Sequence, residues 1–286
     1  MFFAVLLLLV VDGFAGTMYH TDTAAKVHVT ASRSGTAKQA VVVFPGYIMP
    51  GDQLSRAFAP FLGAGDAMVV ADYAQRGVDV DALYRQIMTA LDGMKPQSIR
   101  VYGASMGGMC AKQFLDRYVQ GGSPFGRAVL VLDTAPDSAA RIKRPGWVFG
   151  LASWYRGGPL TSLGWAALNQ FGDQPTPEPG ADPGLAAAGR RHSTWVGTPA
   201  LTSQAGYLGA FPALRDGELV GRAERVVYLH GRDPAEDPLV WVDDSMAHWR
   251  RAFPGLVEVV VNGRAGSWHI PLIERPRETL TAVLAA

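Results

Sequence analysis

Apolar and polar positions follow two different periods along this chain. Short runs that are apolar almost throughout recur at Ala40-Val41-Val42-Val43-Phe44, Ala67-Met68-Val69-Val70-Ala71, Ala128-Val129-Leu130-Val131-Leu132, Val226-Val227-Tyr228-Leu229 and Leu256-Val257-Glu258-Val259-Val260-Val261. Runs of this kind are the pattern of strands covered on both faces. Between them apolar residues fall three and four apart, as at Leu83, Ile87, Ala90 and Leu91, the spacing of one helix face. Asp52 and Asp79 are candidate caps, for helices reaching about residue 62 and Met94. Residues 26–31 alternate (Val27, Val29, Ala31) and predict an edge strand. Strand and helix take turns, which predicts an α/β fold: a mostly parallel central sheet with helices on both faces and right-handed crossovers.

The rhythm stops between Asp137 and Arg222. That stretch holds four of the seven Trp residues (Trp147, Trp154, Trp165, Trp195) and a Pro-rich loop, but no strand-like run. It predicts a largely helical insertion, residues 137–222, between core segments 26–136 and 223–286. Placed after a strand whose end faces the presumed site, it reads as a cap that excludes water, with most of its Trp residues forming its own core. Strands resume at residue 225, and helices are expected at about 242–253 and 273–284.

Residues 2–11 are apolar without a break, and Asp12 then interrupts. Ten residues are short for a span but suit a secretory h-region, with Gly13 and Ala15 spaced like a cleavage site. No Lys or Arg precedes them. Segment 1–19 therefore reads as a signal peptide or a short membrane anchor, implying export or membrane association. The alternative is a hydrophobic element packed on the body of a cytoplasmic protein. The formal net charge of +1, with basic residues scattered, speaks against a nucleic-acid surface. The single Cys, Cys110, excludes an intramolecular disulfide and reads as a small helix residue.

The chemistry centres on Gly103-Ala104-Ser105-Met106-Gly107-Gly108. A strand-like run enters this G-x-S-x-G pattern and a helix-like run leaves it, as in a nucleophile elbow. A serine hydroxyl is unreactive at neutral pH unless a base takes its proton and a carboxylate orients that base. His269, in the loop after the last strand, is the best base. His20 and His28 precede the sheet core, His192 falls in the insertion, His248 in a helix, and His230 reads as turn scaffolding. Three carboxylates end strands: Asp237 is favoured, with Asp233 and Asp133 as alternatives. An oxyanion needs two donors at about 3 Å; the backbone N–H groups of Tyr47 and Met106 are the candidates. Trp147, Trp154 and Trp268 are candidate walls of an apolar substrate pocket. No metal-ligand cluster or phosphate loop is present, so no metal or cofactor is implied.

These motifs resemble the α/β-hydrolase fold family. The elbow at Ser105 matches its nucleophile motif, and the order Ser105, Asp237, His269 matches its order of nucleophile, acid and histidine. Pro45-Gly46-Tyr47 stands where many members carry His-Gly and an oxyanion residue. The stretch from His230 to Val240 resembles the family's acid loop with extra residues, and only Asp237 keeps the following x-x-Val. His269 with Glu274-Arg275-Pro276 resembles the histidine loop and last helix. The likeness runs from Val41 to Leu284 with the insertion unmatched. It implies a serine hydrolase acting on a carboxylic ester or related acyl bond; the aromatic-rich insertion, not the likeness, points to a small-molecule substrate with an apolar group. Alternatives are an amide or peptide hydrolase or an acyltransferase on the same residues, or a non-catalytic binding protein, because one fold hosts many functions.

Overall fold

A computed structural model describes residues 2–19, 24–75, 77–126, 128–155, 157–171, 187, 197–211, 223, 225–261, 269 and 276–286. The apolar runs become strands β1 (Lys26–Thr30), β2 (Gln39–Phe44), β3 (Asp66–Asp72), β4 (Ser98–Ala104), β5 (Ala128–Asp133), β6 (Arg225–His230) and β7 (Val257–Val260). They form one seven-stranded sheet in the order β1-β3-β2-β4-β5-β6-β7. Only β1 runs antiparallel, at the edge beside β3. The other pairings are parallel, with Val43 opposite Val70 on one side and Tyr102 on the other.

Among the described residues the helices are α1 (Phe2–Tyr19), α2 (Gly51–Phe58), α3 (Val80–Met94), α4 (Met106–Gln120), α5 (Gly146–Trp154), α6 (Pro159–Phe171), α7 (Thr198–Ala210), α8 (Val242–Ala252) and α9 (Pro276–Ala285). Successive strand residues point to opposite faces, so a run buried on both sides needs two cores. Val42, Phe44 and Val69 pack with Leu83, Ile87, Phe114 and Trp249 of α3, α4 and α8. Val41, Val43 and Val70 pack with Leu54, Phe58 and Leu280 of α2 and α9. This double cover is why strand apolarity is nearly unbroken.

Asp79 caps α3, its carboxylate accepting from Ala82 N at 2.8 Å. Asp52 does not cap α2: it pairs with Arg56 one turn on, and Pro50 takes the capping position. The α-helix stops at Phe58 and tightens into a 3-10 turn, Ala59–Phe61, because Pro60 supplies no N–H to continue it. Between β5 and β6 the described residues form helices α5, α6 and α7 and a 3-10 turn at Ala139–Arg141.

The short membrane anchor expected of residues 1–19 is not supported as a spanning segment. Among the described residues no helix is long and apolar enough to cross a membrane. Asp12, which interrupts the apolar run of α1, is drawn inward by the fold. It is 2% exposed, and its carboxylate accepts from Tyr155 Oη (2.8 Å), Thr161 Oγ1 (2.7 Å), Leu160 N (2.7 Å) and Thr161 N (3.1 Å). The last two are first-turn amides of α6, so Asp12 caps a helix some 148 residues away. Burial pushes the carboxyl up, but the bonds from Thr161, Tyr155 and Leu160 outweigh it and hold the group below its ordinary value.

Candidate active site

Ser105 ends β4 and opens α4 with φ 49° and ψ −120°, a backbone that only an over-determined turn holds. The strand and helix cross too closely for side chains. A Cβ at Gly103 would lie 2.4 Å from Gly107 O, and one at Gly107 would lie 2.1 Å from Phe44 O. The second contact seats the start of α4 against the loop after β2. Ser105 N donates to Asp133 O at 2.8 Å, tying the elbow to the end of β5.

His269 Nε2 lies 2.6 Å from Ser105 Oγ. On the other side of the ring, Nδ1 lies 3.0 Å from Asp237 Oδ2 and 3.2 Å from Oδ1. The Asp237 side chain is 1% exposed and that of His269 14%. Asp237 Oδ1 also accepts from Leu239 N (2.8 Å) and Val240 N (2.7 Å), so the carboxylate orientation is set by its own loop. The Asp-x-x-Val spacing has a structural meaning: the carboxylate binds the N–H of Val240, whose side chain is buried.

The three candidate acids separate clearly. Asp237 meets His269. Asp233 is exposed on the turn before Pro234–Glu236, where its carbonyl accepts from Glu236 N. Asp133 is fully buried and accepts from Tyr102 Oη at 2.5 Å. Other described histidines are engaged elsewhere: His28 with Asp72, His230 with Glu258, and His248 with Asp137. His20 and His192 lie outside the described residues.

Burial raises the Asp133 carboxyl to about 7; the Tyr102 bond pulls it down and the nearby Asp237 charge pushes it up. An unfolded Asp titrates near 3.9. Between that value and about 7 the folded chain keeps a proton that the unfolded chain has lost. Stability from this group therefore falls as pH rises through the window. Relative to Asp133→Asn, the wild type should lose at most about 1.4 kcal/mol per pH unit across it. Denaturant unfolding of both proteins at several pH values reads this. A difference independent of pH would mean that Asp133 is charged throughout.

Two residues near the site make contacts that have no signature in the sequence. Thr134, 1% exposed and at φ 43°, donates its hydroxyl to the backbone carbonyl of His269. Lys143 Nζ donates to Asp237 O at 2.6 Å and Ala235 O at 3.1 Å, and rests 4.3 Å from the centre of the Trp241 ring. The end of β5 and the segment after it thus brace both the backbone of His269 and the acid loop.

The loop of Pro45, Gly46 and Tyr47 is held from both sides. Tyr73 Oη donates to Pro45 O (2.8 Å), Tyr47 Oη to Leu201 O (2.9 Å) and Ile48 N to Gln204 Oε1 (2.6 Å). Burial raises the Tyr47 phenol to about 12, so it stays a neutral donor. Over the elbow, Met106 and Met109 pack with Phe149 and Ala152 of α5 and with Ala205 and Leu208 of α7. An open cleft of about 590 Å³ lies beside this cluster, lined by Ile142, Phe149, Gly206 and Gly209 among others.

Trp147 is corrected as a pocket wall. It is 69% exposed, while Phe149, two residues on and therefore on the far side of α5, turns inward. The Trp154 side chain and Trp268 lie outside the described residues. Cys110 is buried, and burial raises its thiol to about 11 against the bonds from Tyr207 and Tyr73. Among the described residues no group of three or more His, Cys, Asp or Glu side chains is arranged to hold a metal.

The architecture recurs in solved structures. A hydrolase from Pseudomonas aeruginosa aligns with TM-score 0.62 at 13% identity, over 92% of this chain and 94% of its own. The type II thioesterase BorB from the borrelidin biosynthetic cluster aligns with TM-score 0.59 at 17% identity, over 93% and 98%. A thermophilic esterase from Thermogutta terrifontis aligns with TM-score 0.60 at 15% identity, over 91% and 92%. At such identities the likeness establishes the fold: this chain has the α/β-hydrolase fold. No protein-family model and no curated protein matches the sequence.

Proposed function

We propose that this chain is a serine hydrolase that cleaves carboxylic esters through an acyl-enzyme on Ser105. The hydrogen-bonded run from Asp237 through His269 Nδ1 and Nε2 to Ser105 Oγ carries the reading. The structural neighbours, a hydrolase, a thioesterase and an esterase by name, support an acyl-transferring site on this fold.

In this reading Asp237 accepts from Nδ1–H and leaves Nε2 free to take the Ser105 proton. Oγ attacks the carbonyl carbon, and the oxyanion accepts from the N–H groups of Met106 and Tyr47. Each such donor contributes about 3–4 kcal/mol to the transition state. Collapse breaks the ester C–O bond, and the departing alcoholate takes the proton from Nε2. Water then enters, gives its proton to Nε2 and attacks the acyl carbon. The carboxylic acid leaves, and the proton returns to Ser105 Oγ. Helices α5 and α7 cover the elbow as a cap. The Met106, Met109 and Phe149 side chains packed over the elbow favour an apolar acyl group.

A series of p-nitrophenyl esters of rising acyl length tests this. We expect a burst of nitrophenolate equal to the enzyme present, then steady turnover. The ratio kcat/KM should rise about fourfold per added CH2 until further carbons reach solvent, from about 0.8 kcal/mol for each buried CH2. Folded protein with neither burst nor turnover would be a binding protein instead. Faster cleavage of matched anilides would make it an amidase.

A further inference from the structure

Helices α1 and α6 lie against each other and between them carry one charged side chain, the buried Asp12. From Phe3 to Val11 every residue of α1 is exposed, the large ones from 37% at Leu9 to 83% at Phe3. Consecutive helix residues step by about 100°, so residues 4–11 present exposed apolar side chains in every direction around the helix. Further along, the helix is held at Asp12, which α6 binds, and at Gly16, where a Cβ would lie 2.2 Å from Gly157 O. On α6 the outward residues include Leu160, Leu163, Leu168 and Phe171. Their spacing makes one apolar stripe, the kind that ordinarily faces a core.

We propose that this surface of α1 and α6 enters the hydrocarbon of one leaflet of a phospholipid bilayer without crossing it, and so holds the α5–α7 segment against the membrane. Charge complementarity selects the occupant. A protein partner meets an apolar patch with a polar rim, whereas these two helices offer no exposed charge on any side. A partner's face would also cover one side of α1, while a fluid apolar phase covers all of them. The dimensions agree. Residues 3–11 extend about 13 Å at the helical rise, and the hydrocarbon of one leaflet is about 15 Å deep. The Asp12 bonds to α6 join the two helices into one unit, so the depth of one sets the depth of the other. The proposal is independent of the hydrolase reading.

The full chain mixed with phosphatidylcholine vesicles and centrifuged is the test. Wild-type protein should sediment with the vesicles equally at about 0.1 M and about 1 M salt, because the attraction is not ionic. Leu7→Asp and Leu163→Asp, both at exposed positions, should each weaken partition at least about tenfold. Phe61→Asp, at an exposed aromatic in the turn after α2, should leave it unchanged. Thermal unfolding of each variant establishes that the fold is kept. Wild-type protein that stays in the supernatant would overturn the proposal, as would α1 and α6 variants that sediment undiminished. Wild-type dimers that ignore vesicles and dissociate on Leu7→Asp would make a second copy the cover and equally overturn it.

Discussion

Ser105→Ala is expected to lower kcat on a p-nitrophenyl ester by about 10⁶-fold, with the protein still folded. The substitution removes one oxygen from a side chain that is 6% exposed and leaves no large cavity. Its φ of 49° is imposed by the crossing of β4 and α4, which Ala tolerates no worse than Ser. The loss is chemical: without Oγ, His269 has no proton to take and no covalent intermediate forms. Residual turnover would come from water bound at the oxyanion donors. Ester assays beside thermal unfolding read both halves. A loss of less than about tenfold would send the nucleophile elsewhere.

Asp237→Asn is expected to lower kcat by about 10⁴-fold while the loop keeps its shape. The Asn oxygen still accepts from Leu239 N and Val240 N, which fix the carboxylate now. The remaining amide nitrogen then faces His269 Nδ1, so that ring nitrogen must become an acceptor. The ring proton moves to Nε2, where it blocks transfer from Ser105. Asp233→Asn, on an exposed turn, should leave turnover within about twofold, the scale of surface changes. Asp133→Asn keeps the Tyr102 bond and should cost far less than Asp237→Asn. Equal losses at positions 133 and 237 would divide the acid role and contradict the assignment.

What the sequence shows best is what local pattern controls. Strands buried on both faces print as apolar runs, and the elbow prints as G-x-S-x-G between a strand and a helix. Asp237 could be preferred over Asp233 because Val240 follows at the spacing its carboxylate needs. Contacts between distant segments leave no such trace. Thr134 reaches His269 across 135 residues through a hydroxyl and a backbone carbonyl, and Lys143 reaches the acid loop across 94, also through a carbonyl. Neither contact depends on the identity of its acceptor residue, so nothing marks it along the chain. Asp12 reads as an interruption of an apolar run because its donors belong to residues far away in sequence. Trp147 shows the limit of composition: its helix faces inward with Phe149, and residue size does not decide which way a side chain points.

The activation of Ser105 by His269 and Asp237 is tested most directly with a fluorophosphonate probe, mapping the adduct by mass spectrometry. The account predicts one phosphonyl group per chain on Ser105, none on Ser105→Ala, and much slower labelling of Asp237→Asn. Folded wild-type protein left unlabelled, or Ser105→Ala labelled as fast as wild type, would contradict it.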